Sequence, residues 1–144
     1  MPARVAQATW EGSVTDGKGT ITSESGVVDA ANSLAMRTGE GVSATNPEEL
    51  LAAAHAGCFS MMLSGLLSKA GNPPDRIDTT AKVHLAVSDA GLHINKVELT
   101  TRARVPGIDD AAFQQTAQQA KEVCPVSVAL AGVDEITLQA TLET

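Results

Sequence analysis

The stretch that decides the fold of this chain is residues 46–74, NPEELLAAAHAGCFSMMLSGLLSKAGNPP. Its first residues combine three signals for the start of a helix. Asn46 suits the N-cap, Pro47 suits the first helical position, and Glu49 follows three residues after the cap. The sequence therefore predicts a helix that begins directly after Asn46.

The end of the same stretch predicts where the helix stops. Lys69 suits the negative helix terminus, and Gly71, which two prolines follow closely, favours termination. We expect the helix to end at Ala70, which makes it about 24 residues and roughly 36 Å long.

The middle of this predicted helix carries no charge from Leu50 to Ser68, which is long enough to cross a membrane. Against a membrane span stand the lack of a cationic flank at its start and a set of polar or small residues, namely His55, three serines, four alanines and two glycines. We interpret the segment as a helix buried by protein on nearly all sides. So small a domain has too little chain to cover it, so we expect a second copy to do so and no membrane contact.

The sequence before the central helix predicts a small antiparallel hairpin. Alternating residues at 5–10 and 20–22 flank a turn at 15–17. Residues 27–44 are rich in Ser, Asn and Gly and predict an irregular surface excursion that carries one isolated cation, Arg37.

The sequence after the central helix predicts a second hairpin, a second helix and a last strand. The predicted elements are strands at Asp78–Ser88 and Leu92–Val105 with a bulge near Asn95–Lys96, a helix at Ala111–Val123 capped by Asp109 or Asp110, a helical turn at Val126–Leu130 and a strand at Ile136–Leu142. With strands before and after a central helix, the class is α+β, in a single domain over residues 1–144.

Composition excludes some functions. Ten basic against seventeen acidic residues give a net charge of −7, which disfavours a non-specific grip on nucleic acid. Only Trp10, Phe59 and Phe113 are aromatic, so we expect an aliphatic core. The start of the chain lacks the apolar segment of a signal peptide, and we therefore expect a cytoplasmic, reducing environment for its two cysteines.

Cys58 lies ten residues into the predicted helix. Burial alone raises the pKa of a thiol and makes it inert, so reactivity would need a nearby cation or hydrogen-bond donors. Glu48 on the same helix is about 15 Å away along a straight axis. The two residues can meet only if the helix start bends, or if antiparallel copies crossing near Ala53 bring Glu48 of one toward Cys58 of the other.

Cys124 precedes Pro125 and could cap the next helical turn, where backbone N–H groups favour a thiolate. The chain has no C-x-x-C motif, which disfavours a thioredoxin-like dithiol or an iron–sulfur site. The histidines lack metal-ligand spacing: we interpret His84 and His93 as strand surface residues and His55 as a satisfied helix histidine. No metal and no cofactor are expected.

Eight segments in chain order resemble the OsmC/Ohr family, most closely its osmotically inducible OsmC branch. They are WEG (10–12), GKGT (17–20), SESGV (23–27), NPEEL (46–50), AAHAGCFSM (53–61), IDTTA (77–81), VPGID (105–109) and CPVS (124–127). Each is a weak signal by itself, but together they span nearly the whole chain. The resemblance implies an intertwined homodimer with β-sheets around the long central helix, and a thiol peroxidase that reduces organic hydroperoxides in the oxidative stress response.

The resemblance also assigns site residues. Cys58 matches the peroxidatic cysteine, Cys124 the resolving cysteine, Glu48 the acidic partner and Arg37 the arginine that precedes the central helix. Arg37 would stabilise the Cys58 thiolate and Glu48 would orient Arg37, while a dithiol carried on a lipoyl-bearing protein is the implied reductant. An apolar wall of Phe59, Met61, Met62 and Leu63 would suit alkyl hydroperoxides if it lined the cleft; otherwise these side chains are core.

Two other functions fit the residues by themselves. The first is a redox sensor or binding protein on the same fold, in which oxidation of Cys58 changes a surface without efficient turnover. In the second, both cysteines are inert members of the core.

Overall fold

Ten elements run along the residues that the computed structural model describes, 1–39 and 44–144. In chain order they are β1 (Ala6–Glu11), β2 (Lys18–Ser23), β3 (Asp29–Asn32), α1 (Leu34–Thr38), α2 (Pro47–Lys69), β4 (Arg76–Ser88), β5 (Gly91–Arg104), α3 (Asp110–Val123), α4 (Pro125–Ala129) and β6 (Glu135–Glu143). The α+β class is confirmed. The chain divides into two compact units, Met1–Leu50 and Leu51–Thr144, and a single domain over residues 1–144 stays a prediction.

The first unit contains an antiparallel sheet in the order β1-β2-β3. The expected hairpin is its first two strands. β3 and α1 were not expected, because residues 27–44 were interpreted as irregular; pairing with β2 makes Asp29–Asn32 a strand, and Ser33 caps α1 by accepting a hydrogen bond from the Met36 N–H (3.3 Å). Residues 40–43 of the expected excursion lie outside the described residues.

The start of α2 follows the predicted capping pattern. The Glu49 N–H donates to Asn46 Oδ1 (2.8 Å), and Pro47 is the first helical residue. The Glu49 carboxylate does not return to the cap as in a full capping box, since its Oε1 accepts from the Thr45 hydroxyl (3.0 Å). Asn46 is therefore the N-cap that the sequence predicted.

The end of α2 lies one residue before the predicted end. The Asn72 N–H donates to the Leu67 carbonyl (2.9 Å) and the Gly71 N–H to the Ser68 carbonyl (3.0 Å), with Gly71 at φ +89°. These two bonds form a Schellman motif, whose left-handed residue favours glycine. Lys69 is the last helical residue.

The second unit contains a mixed sheet in the order β4-β5-β6. β4 and β5 form the expected antiparallel hairpin, and their register shifts where Asn95 stands unmatched opposite the His84–Leu85 step, so the predicted bulge is confirmed. β6 pairs with β5 in parallel, because α3 and α4 carry the chain back before β6 begins.

One face of α2 supplies the core of the second unit. Phe59, Leu63 and Leu67 are fully buried at four-residue spacing and pack with β5 and α3, where Leu99 and Phe113 are also buried. Apart from the two phenylalanines the core is aliphatic, as the composition predicted.

The other face of α2 is exposed in the single chain. Gly57 and Gly65 are exposed, and Met61 retains 77% of its accessible surface. α2 is long and apolar enough to cross a membrane (mean hydropathy 1.6), but the core helices of soluble proteins can meet the same criteria. Only 22% of its most apolar 18-residue segment is buried. Burial on nearly all sides is thus not reached within one chain, and the second copy stays a prediction.

Candidate active site

Arg37 and Glu48 form a bidentate ion pair within the first unit. Arg37 Nε donates to Glu48 Oε1 at 3.0 Å and to Oε2 at 3.2 Å, and Nη2 donates to Oε1 at 2.7 Å. Only 10% of the Glu48 side chain is exposed, against 33% of the Arg37 side chain. The hydrogen bonds to the carboxylate raise the pKa of Arg37. The guanidinium is therefore permanently charged and held in a fixed plane.

Two helix ends bring this pair together. Arg37 lies in the last turn of α1, and Glu48 is the second residue of α2. The Asn46 side-chain amide, at the start of α2, donates to the Met36 carbonyl in α1 (3.4 Å). Asn46 therefore caps one helix and contacts the other, which fixes the position of Glu48 relative to Arg37.

A surface cavity of about 320 Å³ opens beside Arg37 in the first unit. Its lining consists of Trp10, Val14, Leu34 and Pro47 together with Asn32, Ser33 and Arg37. A guanidinium beside an apolar wall suits a ligand with an apolar body and one polar end.

Cys58 and Cys124 lie next to each other in the second unit. Cys58 is half-buried on α2, and Cys124 is fully buried between α3 and α4; both are free thiols. The Cys124 side chain is close enough to form a hydrogen bond with Cys58. The structure thus brings together two cysteines that are far apart in the sequence.

Burial raises the pKa of the Cys58 thiol. The Val126 backbone N–H opposes this effect by donating a hydrogen bond that favours the thiolate, whereas the neighbouring Cys124 raises the pKa further. Within residues 51–144 no cationic side chain lowers it. This unit by itself keeps Cys58 protonated, so a reactive thiolate needs a positive charge from elsewhere.

Cys124 occupies the predicted capping position. It is the N-cap of α4, but its side chain makes no capping hydrogen bond. The backbone N–H of Val126, the second residue of α4, instead favours the thiolate of Cys58. The donor that the sequence suggested for the Cys124 thiol therefore contacts the Cys58 thiol instead.

The four predicted site residues are placed as two pairs, Arg37 with Glu48 and Cys58 with Cys124. Their catalytic roles, and the approach of Glu48 to Cys58 across a pair of chains, stay predictions.

Sequence reasoning missed one polar pair beside the thiols. The ring Nε2 of His55 and the Ser127 hydroxyl share a hydrogen bond of 2.7 Å, and the two residues are 0% and 7% exposed. The prediction of a satisfied histidine is right for Nε2 only, since the buried Nδ1 has no hydrogen-bond partner among the described residues. The available signal was spacing: His55 is three residues before Cys58, and Ser127 three after Cys124.

The candidate apolar wall is mostly core. Phe59 and Leu63 are fully buried, and Met62 packs against the core. Met61 alone of the four is largely exposed. Phe59 and Leu63 therefore do not line an open cleft in the chain.

The histidines on the second hairpin lie on its surface as expected. The ring Nε2 of His84 shares a hydrogen bond with Glu98 Oε2 at 2.5 Å, and His93 is exposed. Among residues 1–39 and 44–144, no three His, Cys, Asp or Glu side chains converge as metal ligands would.

Comparison with known proteins gives matches over nearly the whole chain. The family profile described as "OsmC-like protein" matches residues 38–139. Peroxiredoxin OsmC of Escherichia coli (strain K12) is 49% identical over 137 residues, which cover 95% of this chain and 94% of that protein. Organic hydroperoxide resistance protein OhrB of Bacillus subtilis (strain 168) is 30% identical over 122 residues, or 84% of this chain and 88% of that protein.

A solved structure shares the fold over a similar length. The crystal structure of an organic hydroperoxide resistance protein from Elizabethkingia anophelis is 26% identical and superposes with a TM-score of 0.73, covering 99% of this chain and 98% of that one.

Proposed function

Because this chain belongs to the OsmC-like protein family, we propose that it reduces organic hydroperoxides to alcohols through a Cys58 sulfenic acid and a Cys58–Cys124 disulfide. The chain is a peroxidase, in keeping with relatives named peroxiredoxin and organic hydroperoxide resistance protein. The contact between the Cys58 and Cys124 thiols is the single observation that carries the proposed chemistry.

The first requirement is a thiolate at Cys58. Burial holds the pKa of this thiol above its usual range, and a cation nearby would lower it. Arg37 supplies that cation in the assembled enzyme. Glu48 engages its Nε and Nη2 atoms, which leaves the Nη1 hydrogens for the thiolate or for a peroxide oxygen.

The first chemical step is a two-electron oxidation of sulfur. The Cys58 thiolate attacks the terminal peroxide oxygen, an S–O bond forms and the O–O bond breaks. The leaving alkoxide takes up a proton and departs as the alcohol. Cys58 becomes a sulfenic acid.

The second step is condensation of the two cysteines. The Cys124 sulfur attacks the Cys58 sulfenic sulfur, an S–S bond forms, and the hydroxyl leaves with the thiol proton as water. The disulfide protects Cys58 from further oxidation. Contact between the two side chains supports this step.

A dithiol reductant completes the cycle. Its thiolate attacks the half-buried Cys58 sulfur, because Cys124 is fully buried. The Cys58–Cys124 bond breaks, and Cys124 leaves as a thiolate that takes up a proton. The second thiol of the reductant then displaces Cys58 and leaves the reductant as a cyclic disulfide. A lipoyl group on a protein has the required pair of thiols. The chemistry suits the reducing environment of the cytoplasm.

A second copy of the chain covers the exposed face of α2. Gly57 and Gly65 have open space around the position of a Cβ atom, and Met61 is 77% exposed. An uncharged face of small residues allows close packing of helices, so the homodimer buries what one chain leaves exposed.

Steady-state consumption of cumene hydroperoxide with dihydrolipoamide tests the proposal. The wild-type protein should turn over repeatedly, Cys58→Ser should be inactive, and Cys124→Ser should stop after its first oxidation. Wild-type protein that reacts once without turnover would identify a sensor, and full activity of Cys58→Ser would overturn the mechanism.

A further inference from the structure

We propose that the buried hydrogen bond between His55 and Ser127 positions Cys124 for disulfide formation with Cys58. The inference rests on the proposed function and adds two positioning residues to its second step. Neither residue reacts; each acts through the cysteine that lies one helical turn away.

The bond connects the two helices that flank the thiols. His55 and Cys58 are three residues apart on α2, and residues at this spacing are neighbours on one helix face. Ser127 is the third residue of α4, and Cys124 is the N-cap of that helix. A bond of 2.7 Å between His55 and Ser127 therefore constrains the distance between the two sulfur atoms.

Few other polar contacts connect α4 to the rest of the unit, although Val126 packs against the core. The Cys124 N–H donates to the Ala120 carbonyl (2.9 Å) and the Val128 N–H to the Cys124 carbonyl (3.0 Å), so these backbone bonds are local. Among the described residues, the His55–Ser127 bond is the only hydrogen bond between two side chains that joins α4 to another element. The Val126 N–H also contacts the Cys58 sulfur. Val128 is 59% exposed, so apolar packing covers only part of the helix.

Burying this polar pair in the core costs free energy. His55 is fully buried, and its Nδ1 has no partner among the described residues. A buried polar atom without a hydrogen bond is rare and needs an explanation. Apolar side chains would fill the space at a lower free-energy cost. This indicates that the role of the polar pair is to hold α4 in position against α2.

The resolving step is sensitive to that geometry. Cys124 must reach the Cys58 sulfenic sulfur, expelling hydroxide that leaves as water, before a second peroxide oxidises the sulfenic acid to a sulfinic acid. Displacement of a reacting group by about 1 Å can slow a reaction by up to ~100-fold. Loss of the bond should therefore slow disulfide formation and increase overoxidation, with no change in the first step.

Ser127→Ala removes the bond with little change in volume, and Ser60→Ala is a matched control. Ser60 lies on α2, as His55 does, and its hydroxyl donates to Thr79 Oγ1 in β4 (2.8 Å). Ser60→Ala therefore removes a similar side-chain hydrogen bond that does not reach α4. The measurement is rapid mixing with one equivalent of cumene hydroperoxide, following sulfenic acid and disulfide by quenched mass spectrometry.

We expect Ser127→Ala to form the sulfenic acid at the wild-type rate and the disulfide about tenfold more slowly. Excess peroxide should then give more Cys58 sulfinic acid than in wild type or in Ser60→Ala. Equal disulfide rates in Ser127→Ala and wild type would overturn the inference, as would equal slowing by Ser60→Ala. Failure of the wild-type protein to form the disulfide would instead refute the proposed function.

The double variant His55→Leu/Ser127→Ala distinguishes an effect on the position of Cys124 from an effect on the stability of the fold. Replacing both partners by apolar groups leaves no unmatched polar atom, so the folded state should be retained. Disulfide formation should still be slow. Wild-type disulfide formation in this double variant would contradict the inference.

Discussion

The Glu48 carboxylate holds the Arg37 guanidinium in place by accepting hydrogen bonds from two of the three guanidinium nitrogens, Nε and Nη2, at N···O distances of 2.7 to 3.2 Å. The pair joins the end of α1 to the start of α2. A charge fixed in this way can be placed against a reacting sulfur without reorganisation, which is how an arginine contributes most to catalysis.

Arg37→Lys should reduce the rate of Cys58 oxidation by cumene hydroperoxide about 100-fold. Lysine keeps the charge but loses the planar fork that pairs with Glu48. Stopped-flow measurement of the first oxidation checks this. Arg76→Lys is the matched control, because Arg76 forms a similar bidentate pair with Asp78 on the surface (2.7 and 2.8 Å) and should not affect the rate.

Glu48→Gln should weaken both the orientation of Arg37 and the fold. The amide keeps one acceptor but loses the charge, so we expect the same first-step rate to fall about tenfold. The free energy of unfolding, from urea titration, should fall by about 1 kcal/mol, the usual net value of a hydrogen bond. Unchanged values for both quantities would show that the carboxylate has no part in placing the guanidinium.

Arg37→Ala should raise the pH at which Cys58 becomes reactive. Burial already raises the pKa of this thiol, and loss of the proposed activating cation should leave the pKa higher. The pH profile of Cys58 alkylation by iodoacetamide, in a Cys124→Ser background, should shift to higher pH when Arg37 is replaced. A profile that does not move would place the activating charge elsewhere.

Stability should depend on pH through His55. Burial lowers the pKa of His55 below its usual 6.5, so the unfolded chain binds the proton more readily than the folded one. The neutral histidine's contribution is complete above pH 6.5 and is lost as pH falls through that value toward the folded-state pKa. Urea midpoints at pH 7.5 and pH 5.5 should therefore differ more in wild type than in His55→Gln, whereas His93→Gln, at an exposed position, should behave like wild type.

Met61→Asp should weaken the proposed homodimer. A charge on the exposed face of α2 would have to be desolvated at the contact, which costs several kcal/mol when it lacks a partner. Sedimentation velocity should show a shift toward monomer. Val87→Asp places the same charge at a similarly exposed apolar residue (82% exposed, against 77% for Met61) on β4, and it should leave the dimer intact.

Local signals were enough to predict the ends of α2 and the bulge in β5. Asn46 and Gly71 form their capping hydrogen bonds with residues that are close in the chain. The shift in the alternation of apolar and polar residues near Asn95 is visible in the sequence of the strand itself. β3 was not predictable in this way, because Asp29–Asn32 has little strand character until β2 pairs with it.

The sequence was enough to select the candidate site residues but not to predict which of them contact each other. Cysteine chemistry and family resemblance singled out Cys58 and Cys124, yet only the fold brings their side chains together. The His55–Ser127 bond joins residues 72 positions apart. The three-residue spacing from each cysteine marks the two residues, but their pairing depends on how α4 packs against α2.

Mass spectrometry after one equivalent of cumene hydroperoxide shows whether the Cys58 and Cys124 thiols react with each other. We expect each chain to lose two hydrogen atoms and to give a peptide in which Cys58 is linked to Cys124. Two free thiols after that treatment, or a stable Cys58 sulfenic acid beside an unreacted Cys124, would contradict this expectation.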